Sequence, residues 1–224
     1  MAAGARARAA AAAIVGGGAR ADGERGSTSP DAAVAAGVRA AARLLGGGDQ
    51  KFSLSGNLAT MAPGLPYTLA AQVAFPERQC VALVGDGGLA MLMADLATAV
   101  KYKLPVTIVV FSNGALGQIK WEQIVFDGTP EFGVDLQRID YAMVAEACGA
   151  KGYHVEDPAK IGEVFDAALA WNGPVVVDCV VDGFEPPMPA NISFDQAMKF
   201  AEAMVKGEKD RGKIIKTLLK DMVS

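Results

Sequence analysis

GDGGLAMLMADLATAVKYKLPVTIVVFSNGALG, the stretch at residues 85–117, decides the fold of this chain. It follows an apolar run at 80–84 and contains a second apolar run at 106–111, and the segment 89–102 between them has the composition of a helix. Short runs that are apolar on both faces are typical of buried parallel strands. The stretch therefore predicts a strand–helix–strand unit of a layered α/β domain.

The same alternation continues on both sides of this unit. Helices are predicted at 66–75, 116–125, 141–148 and 160–171, and a third apolar strand is predicted at 174–181. We therefore expect an α/β fold built as a three-layer, doubly wound parallel sheet.

C-terminal helices are predicted because apolar residues recur at helical spacing near the end of the chain, at positions 214, 215, 218, 219 and 222. Lysines lie between them. Such an amphipathic helix either docks on the domain or on a neighbouring subunit, which we favour, or makes peripheral contact with a membrane surface.

Residues 1–50 differ in kind from the rest, because they are rich in Ala, Gly and Arg and contain no aromatic residue. Such a segment has little to bury. We expect a disordered tail or a gene-start artefact, and a targeting peptide is a weaker alternative because acidic residues appear early. The predicted division is 1–50 as a low-complexity segment, 51–190 as the α/β domain and 191–224 as a helical extension.

Composition excludes several classes of protein. The chain has a net charge of −4, which does not indicate the basic surface that nucleic acids require. No nucleic-acid partner is therefore expected. No run of about 18 apolar residues is present, which argues against a membrane-spanning helix. Cys80, Cys148 and Cys179 form no metal or redox motif, which favours reduced cysteines and a cytoplasmic location.

Two strand ends carry polar residues suited to an anionic ligand and a metal ion. Asp86 follows the first strand among glycines that allow close approach of a ligand, and the next helix directs its N-terminus toward an anion such as a diphosphate. Asn113 follows the next strand. A carboxylate and a neutral oxygen suit Mg²⁺, which also accepts phosphate oxygens and water.

These residues give the stretch its resemblance to thiamine diphosphate enzymes, whose signature is a GDG triplet followed by an Asn-containing turn. The resemblance implies that Asp86, the Asn113 side chain and the backbone carbonyl of Ala115 ligate Mg²⁺. The usual Asn-Asn pair is Ser112-Asn113 here, but the second, liganding position is retained. The glycines expected to line the diphosphate are Gly87, Gly88 and Gly114.

A second part of the resemblance lies upstream, in SLSGNLATMAPGLP at 53–66. It implies that Met61 holds the cofactor in a V shape and that the carbonyl of Ala59 accepts a hydrogen bond from the cofactor's amino group. The full set of expected cofactor-binding residues is Ala59, Thr60, Met61, Gly85, Asp86, Gly87, Gly88, Asn113, Gly114, Ala115, Leu116, Gly117, Gln118 and Ile119. No catalytic residue is predicted.

Further motifs, such as DGTPEFG and EPPMPANISFDQAMKFA, look like the pyruvate oxidase and quinone-dependent pyruvate dehydrogenase branch. That branch has a pyrimidine-binding domain, an FAD-binding domain and a diphosphate-binding domain, and this chain resembles the last. The resemblance implies a part in oxidative decarboxylation of a 2-oxo acid such as pyruvate.

Whether the chain is itself an enzyme stays open at this point. The activating glutamate of the family lies on the pyrimidine-binding domain, and no counterpart is recognised here. The chain is therefore expected to work as a homo-oligomer or with a separate pyrimidine-binding subunit. The alternatives are a catalytically silent cofactor-binding module, or half of an acetolactate synthase or benzoylformate decarboxylase type of enzyme.

Two further sites are weighed against ordinary structural roles. His154, beside a predicted strand, is expected to be structural. The segment Gln118-Ile119-Lys120-Trp121 either faces the substrate or forms the first turn of a surface helix, and the sequence does not separate these alternatives.

Overall fold

A computed structural model of the chain describes residues 12–16, 51–54, 60–184 and 194–221. Its described strands form one six-stranded sheet with the order β2-β1-β3-β4-β6-β5, and every neighbouring pair is parallel. The strands are β1 (Ala12–Gly16), β2 (Lys51–Leu54), β3 (Cys80–Gly85), β4 (Val106–Ser112), β5 (Lys151–Val155) and β6 (Val175–Val180).

Helices connect the strands from β2 onward and follow the last strand. They are α1 (Gly64–Ala74), α2 (Asp86–Leu92), α3 (Leu96–Lys101), α4 (Gly117–Glu122), α5 (Tyr141–Ala147), α6 (Ile161–Ala170), α7 (Phe194–Val205) and α8 (Arg211–Asp221). Short 3-10 turns lie at Met93–Asp95 and Pro158–Lys160, and one π-helical turn at Gln123–Asp127 continues α4.

Two apolar clusters cover opposite faces of the sheet, which confirms the predicted three-layer α/β fold. One cluster packs α1, α2, α3 and α5 against β3 and β4 and includes Leu65, Leu89 and Ile108. The other packs α6 against β4, β5 and β6 through Val109, Val177 and their neighbours. Alternate residues of β4 therefore face different helical layers, as the continuous apolar run predicted.

The helix predicted at 89–102 is wrong in its bounds. Helix α2 already begins at Asp86, directly after the strand, and it ends at Leu92. Leu92 departs from helical backbone angles, with φ −137° and ψ 24°, so a 3-10 turn separates α2 from α3. Leu89 and Leu96 are nevertheless both buried in the same layer.

Strand β1 lies inside the segment 1–50, for which no strand was expected. Its backbone pairs with β2 on one side and with β3 on the other, and Ala12 stands opposite Cys80. A single run of two β-branched residues, Ile14 and Val15, is too short to stand out in an Ala-rich segment. The domain boundary at residue 51 stays a prediction.

The C-terminal helices dock on the domain. Ile214 of α8 and Ala203 of α7 are fully buried against Trp121 and Ile124, in the segment formed by α4 and the π-helical turn. This arrangement matches the docking alternative for the end of the chain. Within the part of the chain that the structure describes, no helix is both long and apolar enough to span a membrane.

Candidate functional site

Asp86 begins α2 at the point where β3 ends, and its side chain is 8% exposed. The backbone N–H of Gly87 donates to Asp86 Oδ1 over 2.9 Å, and the N–H of Gly114 donates to Oδ2 over 2.8 Å. Strand β3 places the carboxylate at the sheet edge because parallel strands leave their carboxyl ends on the same side. The carboxylate is therefore held in direction by the first turn of α2 and by the turn after β4.

The turn after β4 is held by its own asparagine. Asn113 Oδ1 accepts a hydrogen bond from the N–H of Ala115 over 3.0 Å, an Asx turn. Gly114 has a φ of +72°, which favours glycine, and a Cβ there would meet no atom within 4 Å. The glycine thus supplies the turn while leaving open space beside it.

A short antiparallel bridge continues this turn on its far side. Ala115 pairs with Asp135, with Leu116 donating to the carbonyl of Val134 over 2.8 Å and Leu136 donating to that of Gly114 over 2.9 Å. The residues that follow Asn113 are therefore held by backbone hydrogen bonds to residues 134–136.

These strand ends enclose a cavity of about 310 Å³. Asp86, Asn113, Gly114 and Ala115 all line it, together with residues that follow β6. Its charged lining residues are acidic in excess, namely Asp86, Asp135, Asp182 and Asp210 against Lys120 and Arg138. Such a lining favours a cation.

Burial raises the pKa of Asp86 above its ordinary value, although the N–H groups of Gly114 and Gly87 oppose the shift. The nearby charge of Asp178 raises the pKa further. A cation bound at the carboxylate would favour the ionised form and reverse this effect.

Tyr141 fixes the other side of the Asp86 residue. Its hydroxyl donates to the Asp86 backbone carbonyl over 2.7 Å. Burial, with the charges of Asp86 and Asp178, raises the pKa of Tyr141 to about 12. The phenol therefore stays protonated and remains a donor at ordinary pH.

None of the other described residues expected at the cofactor lines this cavity, and several of them pack around the start of α2 and the Asn113 turn. Gly88 lies against Met61, because a Cβ at Gly88 would stand 2.7 Å from the Met61 carbonyl oxygen. Gly87 is buried beneath Leu116, with 3.0 Å between its ideal Cβ and the leucine side chain. The upstream segment at Met61 thus lies beside the start of α2, and its part in holding the cofactor stays a prediction.

The remaining expected residues lie as follows. Gly85 precedes α2 in extended conformation, and Thr60 is exposed. Gly117 begins α4 close to the Asn113 amide, with 2.9 Å between its ideal Cβ and Nδ2. Ala59 lies outside the described residues.

The four residues 118–121, whose role the sequence left open, lie in α4 and differ in burial. Gln118 donates to Glu122 over 2.8 Å on the accessible side, and Ile119 is 42% exposed. Lys120 and Trp121, in contrast, are 3% and 5% exposed. The segment is thus neither a simple surface helix nor wholly turned toward the cavity.

Lys120 enters a buried ion pair that sequence reasoning missed. Its Nζ lies 2.8 Å from Glu131 Oε2, and both side chains are almost fully buried. Lys209, from the segment before α8, lies 2.9 Å from the other oxygen of Glu131 and also pairs with Asp135. The C-terminal extension is therefore joined electrostatically to α4, the helix that follows the Asn113 turn.

Asp178 is the second residue that was missed as part of the site. It is 1% exposed in β6 and accepts a hydrogen bond from the Ser112 hydroxyl. A charged residue inside the apolar run VVVDCV was the available signal, because a buried carboxylate requires partners. His154, expected to be structural, also contacts Asp178, with 3.3 Å between Nδ1 and Oδ2.

Comparison of the sequence with known protein families identifies the family of this chain. The family described as thiamine pyrophosphate enzyme, C-terminal TPP binding domain, matches residues 35–179. Thiamine pyrophosphate is another name for thiamine diphosphate. The match begins within the segment 1–50.

Individual relatives agree with that match. The chain is 48% identical over 158 residues to the Bacillus subtilis thiamine pyrophosphate-containing protein YdaP, covering 70% of this chain and 27% of that protein. It is 38% identical over 145 residues to the pyruvate oxidase of Lactiplantibacillus plantarum, covering 64% of this chain and 24% of the relative. The chain thus spans about a quarter of the length of these relatives.

A solved structure agrees in fold and in sequence. The thiamine diphosphate-dependent 4-hydroxybenzoylformate decarboxylase of Rhodococcus jostii superposes with a TM-score of 0.55 at 28% identity, over 59% of this chain and 25% of that one. The chain therefore belongs to the thiamine pyrophosphate enzyme family, and the region that matches is the C-terminal thiamine pyrophosphate-binding domain.

Proposed function

We propose that the cavity at the ends of β3 and β4 holds the diphosphate of thiamine diphosphate through a Mg²⁺ ion. The protein ligands would be the Asp86 carboxylate, the Asn113 amide oxygen and the Ala115 backbone carbonyl. The observation that carries this proposal is the 2.8 Å hydrogen bond from Gly114 N–H to Asp86 Oδ2, because it keeps the carboxylate beside the asparagine turn. Hard oxygen donors of both kinds suit Mg²⁺.

Three features support the fit of this metal and cofactor. The lining has an acidic excess that a divalent cation would offset. The open space beside Gly114 leaves room for a phosphate group close to the backbone. The backbone carbonyl of Met61 packs against Gly88 at the start of α2, and this position supports the proposal that Met61 contacts the bound cofactor.

For the whole protein we propose decarboxylation of a 2-oxo acid, of which pyruvate is the leading candidate, with electrons passed to FAD on another domain. Thiamine diphosphate, when bound, supplies a nucleophilic carbon and an electron sink for that chemistry. The relatives named pyruvate oxidase and 4-hydroxybenzoylformate decarboxylase support the substrate class, since both names refer to 2-oxo acids. In this scheme the residues of this chain bind and orient the cofactor.

A pyrimidine-binding domain is also part of the proposal, supplied by a homo-oligomeric neighbour or a separate subunit. The acetolactate synthase isozyme 3 large subunit of Escherichia coli is 35% identical over 142 residues. Its name describes it as one subunit of an assembly. That supports an assembly in which the cofactor site is completed by another polypeptide region.

Calorimetric titration of thiamine diphosphate into the purified chain, with and without Mg²⁺, tests the site. We expect Mg²⁺-dependent binding that Asp86→Ala abolishes. Asp95→Ala is the matched control, because this aspartate lies nine residues later and does not line the cavity. Equal binding without Mg²⁺, or unchanged binding by Asp86→Ala, would show that the metal site is wrong.

A second experiment tests the reaction. The chain is mixed with a polypeptide bearing a pyrimidine-binding domain, and release of CO₂ from pyruvate, 2-oxobutyrate and benzoylformate is measured. Turnover that requires both polypeptides would support the enzyme. Tight cofactor binding without turnover of any of these acids would favour a catalytically silent cofactor-binding module.

A further inference from the structure

Asp178 stands in an environment that is unfavourable for a carboxylate. It occupies the fourth position of β6, where the residues on either side, Val177 and Cys179, are buried and apolar. Removing a charged group from water is strongly unfavourable unless hydrogen bonds replace those that water provided. The partners of Asp178 therefore indicate what the residue does.

Three elements direct donors at this carboxylate. The Ser112 hydroxyl, at the end of β4, donates to Oδ1. The backbone N–H of Tyr141, at the start of α5, donates to Oδ2 over 3.3 Å. His154 Nδ1, on β5, lies 3.3 Å from the same oxygen. Asp178 thus connects β4, β5 and the start of α5.

Two of these partners connect directly to the proposed metal ligands. Ser112 precedes Asn113 in the chain. The side chain of Tyr141, whose backbone Asp178 holds, donates to the Asp86 carbonyl over 2.7 Å. The carboxylate itself does not line the cavity, whereas Asp86 and Asn113 do. Asp178 is therefore linked to the start of α2 and to the Asn113 turn, although it does not line the cavity.

We propose that Asp178 is a positioning residue that holds Asp86, at the start of α2, and the Asn113 turn at the spacing that Mg²⁺ and the diphosphate require. This inference rests on the proposed function of the cavity. Groups that orient metal ligands in this way commonly change metal affinity by about 10–100-fold when they are removed. Ser112 stands where the family usually has the first asparagine of an Asn-Asn pair, and its hydroxyl donates to Asp178.

The test measures the dissociation constant for Mg²⁺ at fixed thiamine diphosphate, by calorimetry on the full chain. Asp178→Ala is expected to weaken Mg²⁺ binding about 10-fold or more. Asp178→Asn should restore most of the affinity, because the amide oxygen can accept from Tyr141 N–H while Ser112 turns to accept from the amide. Val176→Ala, on the same face of β6 and equally buried, is the control and should leave the dissociation constant unchanged.

Milder variants keep the test decisive if Asp178→Ala does not fold. Ser112→Ala and Tyr141→Phe each remove one connection, and both are expected to weaken Mg²⁺ binding severalfold. Wild-type affinity in both variants, or equal weakening by Asp178→Ala and Val176→Ala, would overturn the proposal. Absence of Mg²⁺-dependent binding by the wild-type chain would instead refute the proposed function, so the two failures are distinguishable.

Discussion

The backbone N–H of Gly114 is bonded to Asp86 Oδ2 over 2.8 Å, although 28 residues separate the two in the chain. This bond joins the start of α2, which follows β3, to the turn that follows β4, and the ends of these two adjacent strands open into the cavity. Since Gly114 has a φ of +72°, the N–H reaches the carboxylate from a backbone conformation that other residues rarely adopt.

Gly114→Ala should weaken cofactor binding more than it weakens the fold. The left-handed conformation costs an alanine about 1 kcal/mol of stability, and the added methyl group would occupy the open space beside the turn. Gly133→Ala is the control, because Gly133 has a φ of +68°, also has open space and does not line the cavity. Urea unfolding should give similar losses for both, whereas calorimetry should detect weaker binding in Gly114→Ala alone.

Lys120→Met should destabilise the chain by roughly 3 kcal/mol, because it leaves Glu131 buried with Lys209 as its remaining ion-pair partner among the described residues. Adding Glu131→Gln should recover part of this loss, since the unpaired buried charge is then removed. Chemical denaturation of both single variants and the double variant gives the coupling.

The exposed pair of Lys151 with Glu146 is the control for this cycle, since its side chains are 38% and 58% exposed. Lys151→Met is expected to change stability by less than about 1 kcal/mol. Additive effects of Lys120→Met and Glu131→Gln would contradict a coupled pair.

Ile214→Ala should destabilise the docking of α8 by about 2–4 kcal/mol, because Ile214 is fully buried against α4 and its π-helical turn. Ile215→Ala provides a neighbouring control, since Ile215 is 45% exposed and should change little. Thermal unfolding or protease sensitivity of the C-terminal helices measures the difference. Equal effects of the two substitutions would argue against the docked position.

The stability of the chain should fall as the pH rises through the folded-state pKa of His154. Burial lowers this pKa, but hydrogen bonds with Glu156 and Asp178 outweigh burial and raise it above 6.5. A group that binds its proton more tightly in the folded state contributes fully below pH 6.5 and loses that contribution above its folded pKa.

His154 is the only histidine in the chain, so His154→Gln isolates its contribution. Urea midpoints measured from pH 5.5 to 8.5 should decline in the wild type more than in the variant. The same decline in both proteins would mean that other groups cause it.

The fold was predictable because strands β3, β4 and β6 are continuous apolar runs separated by helical segments. Asp86 and Asn113 were predictable as neighbours for the same reason, since each follows a strand of one parallel sheet. Their juxtaposition requires only that β3 and β4 be neighbours, and strands consecutive in the chain are usually neighbours in the sheet.

What the sequence did not predict depends on contacts between distant segments. The burial of Lys120 follows from Glu131 and from Lys209, which lies in the C-terminal extension. The role of Asp178 follows from Ser112, 66 residues earlier. Neither partner is marked by periodicity or by a turn motif, so only the assembled structure relates them.

The position of β4 between β3 and β6 has a consequence for synthesis of the chain. A ribosome delivers Asp86 and Asn113 before β6, so β3 and β4 can pair while the segment carrying Asp178 is still being made. The hydroxyl of Ser112 acquires its acceptor only after a further 66 residues have been added. Capture of the cofactor should therefore follow translation of β6, and nascent chains that stop before it should leave the cofactor in the cellular pool.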